Sequence, residues 1–144
     1  MSDKRHFLKF DKPVACFDLE TTGADIAKDR IVSIAVSFLY PDGRREDKDT
    51  LVNPGCKIPA EATDVHHISD EDVKDAPFFL NMAKSLHTQI LEMDLAGFNI
   101  KGFDIPLLAE EFSRVGLEFP RKGVRVYDAL GIFMNMERRR LQDA

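Results

Sequence analysis

Hydrophobic and polar positions alternate along this chain in a way that divides it into short blocks. Val14 to Asp18 is an almost continuous apolar run that begins after Pro13 and stops by Gly23, the pattern of a buried central strand. Ile31 to Leu39 predicts a second strand, with Val32, Ile34, Val36 and Phe38 on one face and smaller residues largely on the other. Pro41-Asp42-Gly43 supplies hairpin chemistry, and Lys48 to Val52 predicts a third strand, so the chain opens as a three-strand meander. Asn53 to Ser69 shows no sustained period, with a short helix expected from Ala60 to Asp64. Ser69-Asp70-Glu71-Asp72 carries the cap and first-turn acids of a brief helical turn, and Pro77 opens a longer helix through about Met93, striped by Leu80, Ala83, Leu86, Ile90 and Leu91. A fourth strand over Leu95 to Phe98, an amphipathic helix over Pro106 to Val115 stopped by Gly116, a fifth strand over Val124 to Tyr127 and a helix capped by Asp128 and running toward Met136 complete the order. A meander followed by strand-helix-strand-helix predicts a mixed five-stranded α/β sheet, its first three strands antiparallel and the later ones parallel, flanked by helices.

Composition narrows the picture. A chain of 144 residues has room for one compact domain, and 44% hydrophobic with 31% charged residues is ordinary for a globular chain. Eleven Phe against two Tyr and no Trp suit an interior of rings that need no polar partner. The longest apolar stretch, Ile31 to Tyr40, is interrupted by Ser33 and Ser37 and falls short of the roughly 20 residues of a membrane helix. Met1 to Phe10 has no secretory-signal pattern, so a cytoplasmic location is the default expectation. Cys16 and Cys56 form neither a disulfide framework nor a zinc pattern, and Cys16 reads as a small core hydrophobe. A net charge of −5 argues against coating duplex nucleic acid by phosphate neutralisation alone, although carboxylates gathered around cations would contribute the same sign. Arg44–Arg45, Arg121 to Arg125 and Arg138 to Arg140 are basic clusters that fit either phosphate contacts or solvated turns.

Candidate chemistry lies in the acids. In Phe17-Asp18-Leu19-Glu20 the two carboxylates are two residues apart, so a strand projects both to one face. Half-burying two like charges is costly unless a cation offsets them, so a divalent metal is the economical explanation of a buried pair, while for Asp-x-Glu by itself two exposed acids before a turn is the more ordinary reading. Thr21-Thr22-Gly23 adds backbone N–H groups and hydroxyls, with Gly23 allowing close approach of a substrate. Asp104 falls just before a helix, where an N-cap is the ordinary role, but the fourth strand and the first are expected to end at the same sheet edge. Crevices outside strand ends are where open α/β sheets place ligands.

FDLETTG resembles the first exonuclease motif of the DnaQ-like (DEDD) superfamily, and GFNIKGFDIPLLAEEF resembles its second. LVNPGCKIPAEATDVHHISDEDVKDAP is similar to the segment that connects them in bacterial proofreading-type members, except that His67 stands where Gly is usual. The resemblance implies a ribonuclease H-like fold and a metal-dependent 3′→5′ exonuclease that releases nucleoside 5′-monophosphates from single-stranded 3′ ends of DNA or RNA. It implies two Mg²⁺ or Mn²⁺ ions bridged by Asp18, with Glu20 holding one of them and Asp104 helping to hold the other. It further implies that Thr21 meets the terminal 3′-OH through its backbone, that Leu19 and His66 contact the last nucleotide, and that Asn99, grouped with the substrate residues, supports the second motif.

The family's third motif supplies a general-base His or Tyr and a further metal-binding Asp from a C-terminal helix, whereas this sequence has no His after His87. The expectation is one exonuclease domain over residues 1–144, incomplete at its C-terminus and impaired as a catalyst, with Asp128 a helix cap rather than a replacement ligand. An uncovered sheet face invites self-association, and a polymerase partner is open. A non-catalytic module that binds nucleic-acid ends or a partner protein is the rival reading, and a purely structural domain without metal is a third.

Overall fold

The computed structural model describes residues 11–128. Five strands, β1 (Val14–Thr21), β2 (Ile31–Leu39), β3 (Arg45–Leu51), β4 (Asp94–Gly97) and β5 (Val126–Asp128), form one sheet in the order β3-β2-β1-β4-β5. β1, β2 and β3 pair antiparallel, and β4 and β5 add parallel to β1, as the meander-then-crossover pattern predicts. The helices are α1 (Ala60–His66), α2 (Asp70–Val73), α3 (Phe79–Ile90) and α4 (Ile105–Arg114), the last preceded by a π turn over Ile100–Asp104.

One sheet face carries the core. Ala15, Phe17 and Leu19 of β1, Ile34, Val36 and Phe38 of β2 and Leu95 of β4 pack against Phe79, Ala83 and Ile90 of α3 and Leu107, Leu108 and Phe112 of α4. The Phe112 ring meets Phe79, His87 and Phe119, each at a centroid separation of 5.2 Å, in edge and tilted packing, with His87 Nε2 bonded to the Glu118 carbonyl at 2.7 Å. A smaller cluster of Val32, Ile58 and Val73 seats the connector that carries α1 and α2. Among the described residues no helix is long and apolar enough to cross a membrane.

Several boundaries move, each for a local reason. β1 runs on to Thr21, because pairing with β2 continues past Asp18 through Glu20↔Ser33. β3 starts at Arg45 instead of Lys48, since register from Leu39↔Arg45 propagates out of the tight turn. Its fully exposed sequence REDKDTL hides a strand that backbone pairing alone defines, and the charges suit an unpaired edge. α3 is shorter at both ends and rotated: Phe79 takes the core position expected of Leu80, which is 69% exposed. The Asn81 side chain accepts the Phe78 N–H at the helix start. Ser69 and Asp72 form a reciprocal capping box at α2, as the sequence predicts. The expected helix toward Met136 and the Arg138 to Arg140 cluster lie outside the described residues.

Candidate nuclease site

Strand alternation in β1 places Phe17 and Leu19 in the core and turns Cys16, Asp18 and Glu20 to the opposite face. Small β2 residues stand beside them, with Asp18 paired to Ala35 and Cys16 to Ser37, so nothing bulky shields the carboxylates from that side. Desolvation by the surrounding strands raises the Asp18 carboxyl above its ordinary range even though the side chain reaches solvent. Glu20 is also raised, by burial first and then by the Asp18 charge, while His66 pulls in the opposite direction.

Asp104 arrives from the other side. β4 pairs with β1 only as far as Cys16↔Ala96, so further along β1 the edge facing β4 has no strand partner. Asp104 takes up that edge: Oδ2 accepts the Leu19 N–H at 3.1 Å, and the residue is 5% exposed. Its conformation is helical and its side chain makes no cap bond, so the N-cap role is corrected by the structure. The π turn, in which the Ile105 N–H reaches the Ile100 carbonyl, inserts the extra residue that aims Asp104 at β1; such single turns recur at functional sites. Burial pushes the Asp104 carboxyl up to about 6, opposed by the Leu19 N–H and reinforced by the charges of Asp18 and Glu20. The three acids therefore feel one another.

Among the described residues none of the three is ion-paired. Three mutually repelling carboxylates without a basic partner are a donor set suited to a hard divalent cation. Among the described residues no three of His, Cys, Asp or Glu are placed so that they could hold a metal ion as they stand, so the fit is one of donor chemistry and charge, and side chains would have to move to form a shell.

The remaining expected site residues fall as follows. The Leu19 side chain is in the core at 4% exposure; what it presents toward the site is the amide held by Asp104. Thr21 is buried, its hydroxyl donates to the Gly23 carbonyl at 2.6 Å, and its own carbonyl is taken by His66 Nε2 at 3.0 Å. His66 Nδ1 accepts the Ile68 N–H at 3.1 Å, so Nε2 carries the proton and donates to Thr21. Both ring nitrogens are thus engaged by the chain itself, leaving only the ring surface for a ligand. Gly23 makes room for Asp29 rather than for a substrate: a Cβ there meets Asp29 Oδ2 at 2.5 Å. Asp29 braces the loop by accepting from the Thr22 hydroxyl at 2.8 Å and the Asp25 N–H at 2.8 Å.

Asn99 is left-handed, with φ of 55°, and turns the chain between β4 and the π turn. Its N–H and that of Lys101 donate to the two oxygens of Asp128 at 2.8 and 3.1 Å. Asp128 is a bond the sequence reading missed; the signal was its place at the end of a strand beside β4, opposite Gly97. His67 is left-handed too, with φ of 64°, closing α1, which explains why Gly is usual there.

Two basic clusters prove structural. Arg44 pairs with Asp42 and Arg45 with Asp47 in the β2–β3 hairpin. Arg121 and Arg125 both reach Asp94, which is 1% exposed, and Arg125 also pairs with Asp11. Register places both groups at the end of the sheet away from the acids.

A mixed sheet in this order, with Asp18 and Glu20 on the central strand and Asp104 brought against it by the turn that follows β4, matches a ribonuclease H-like exonuclease fold. The exonuclease family model, of the RNase T type, matches residues 15–144, and the chain belongs to that family, within the DnaQ-like exonucleases. It is 27% identical over 119 residues to the 3′-5′ exonuclease DinG of Staphylococcus epidermidis, a match covering 83% of this chain and 13% of that protein. It is 37% identical over 107 residues to a DNA polymerase III subunit epsilon-like protein of Rhodobacter capsulatus, covering 72% of this chain and 15% of the relative. In structure it resembles E. coli Exonuclease I in complex with a dT13 oligonucleotide, with a TM-score of 0.75 at 16% identity over 88% of this chain and 30% of that one. The chain thus spans a small part of each of these three proteins.

Proposed function

We propose that this chain is a metal-dependent 3′→5′ exonuclease domain acting on single-stranded ends. The observation that carries the reading is that Asp104 bonds the Leu19 amide, between Asp18 and Glu20 on β1, while none of the three acids is in an ion pair among the described residues. Asp18, Glu20 and Asp104 would hold Mg²⁺ or Mn²⁺, and two such ions, if bound, would supply stabilisation of the charge on the attacking and leaving oxygens of an in-line phosphoryl displacement. Water adds to the terminal phosphorus as the bond to the 3′ oxygen of the preceding nucleotide breaks, releasing a nucleoside 5′-monophosphate. Leu19 contributes its backbone, which fixes Asp104; Thr21 and His66 shape the strand end against which the terminal sugar rests. The Exonuclease I relative in complex with dT13 and the epsilon-like relative support a single-stranded substrate and a polymerase partner respectively.

No histidine follows His87 in these residues, so the 144 residues by themselves lack the family's histidine base. General acid–base catalysis is commonly worth about 10²–10⁴-fold, the factor that a general base would add to hydrolysis at this site. The same feature favours a second reading, a module that binds nucleic-acid ends without cleaving them. A 5′-labelled single strand incubated with Mn²⁺ separates the two. Stepwise shortening from the 3′ end that Asp18→Ala abolishes supports the enzyme; retained binding with no shortening supports the module and rejects catalysis.

A further inference from the structure

We propose that Asp128 is a positioning residue for the carboxylate site, acting through the start of the helix that carries Asp104. The first amides of a helix have no partner within it and are usually met by the residue that precedes the helix. Here Asn99 occupies that place in a left-handed conformation and makes no side-chain cap bond. The acceptor comes instead from another strand: one Asp128 carboxylate bridges the Asn99 and Lys101 amides. A carboxylate at the positive end of a helix is also favoured electrostatically.

The helix start is pinned on its other side by close packing. At Gly97, a Cβ would come within 2.8 Å of the Phe17 carbonyl oxygen and 2.3 Å of Ile100 Cγ2. The turn therefore has no slack against β1. Asp128 on one side and β1 on the other leave the π turn a single seat, and Asp104 leaves that seat to reach the Leu19 amide at 3.1 Å. Loss of Asp128 frees two amides, lets the turn shift, and moves Asp104 away from Asp18 and Glu20. Partners that orient a ligand without touching the ion commonly account for about 10–100-fold in metal affinity.

The test uses two readouts on the same chain, hydrogen exchange of the Leu19 amide without metal and Mn²⁺ affinity by electron paramagnetic resonance; the second rests on the proposed function and the first does not. In Asp128→Ala the Leu19 amide exchanges about tenfold faster or more while the rest of β1 holds its rate, and Mn²⁺ affinity falls about 10–100-fold. Asp128→Asn, which keeps one acceptor oxygen, lies between the parent and Asp128→Ala, and it decides the matter alone should the alanine variant fail to fold. Leu19 exchange and Mn²⁺ affinity like the parent's in a folded variant overturn the proposal, as does acceleration of all β1 amides together with unchanged affinity. A parent chain that takes up no Mn²⁺ rejects the metal reading, and Leu19 exchange alone then decides whether Asp128 positions Asp104.

Discussion

The Asp104 carboxylate accepts the backbone N–H of Leu19 at 3.1 Å, joining the second acidic motif to the first across a strand edge that β4 leaves unpaired. This bond holds a buried carboxylate beside two others; burial, and then the charges of those two, push Asp104 up to about 6 against the opposing pull of the Leu19 N–H.

Asp104→Asn separates function from stability. The amide oxygen can still accept from Leu19, while the buried charge disappears. The metal-free variant is expected to be more stable than the parent at pH 7.5, by about 1 kcal/mol, and to bind Mn²⁺ far more weakly. Urea denaturation and a Mn²⁺ titration measure the two effects.

The same shift fixes a pH dependence. Asp104 titrates near 6 in the folded chain, above the ordinary 3.8, so the folded state holds its proton more tightly than the unfolded chain does. The stability this confers is fully present below about pH 4 and is lost as pH rises through about 6, by on the order of 3 kcal/mol. Asp18 and Glu20, also raised, act in the same direction. Denaturation of the metal-free chain across pH 4 to 7.5, compared with Asp104→Asn, checks the slope; the variant is expected to lose much of it.

His67 adopts a left-handed conformation at the end of α1, which a residue with a Cβ enters at a cost of roughly 1 kcal/mol. His67→Gly is expected to stabilise the chain by about 0.5–1 kcal/mol, offset in part by the greater freedom of glycine when unfolded. Thermal denaturation reads the change, and Mn²⁺ affinity stays at the parent value.

Glu111 is 1% exposed and accepts from Arg30, Arg114 and the Ile31 amide, tying α4 to the start of β2. Removing one member of a buried charge network leaves the others unpaired, so Glu111→Ala is expected to cost about 3–5 kcal/mol. A fall of that size in unfolding free energy, with Glu111→Gln less affected, is the expected result.

The sheet and its acids were legible because their signals are local. Alternation in β1 and β2 shows in side-chain type, and Asp18 and Glu20 sit two apart, so their shared face follows from strand geometry. β3 was legible only in part, since an exposed edge strand carries no hydrophobic signature and its register comes from the hairpin. The Leu80 stripe failed because Phe79 and Leu80 are adjacent and apolar, and packing against Phe112 chose between them. The π turn at Ile100–Asp104, the engagement of both His66 nitrogens and the reach of Asp128 to Asn99 and Lys101 depend on partners up to 45 residues apart, which no pattern along the chain records. Resemblance to a family supplied Asp104 as a site residue; helix-start chemistry alone assigns it to a cap.

The most direct test is a Mn²⁺ titration of the chain followed by electron paramagnetic resonance, in the parent and in Asp18→Asn, Glu20→Gln and Asp104→Asn. Saturable uptake by the parent that each of the three substitutions weakens is the expected result, because the three carboxylates serve one site. No uptake by the parent, or uptake indifferent to all three substitutions, contradicts a shared metal site and with it the nuclease reading of this chain.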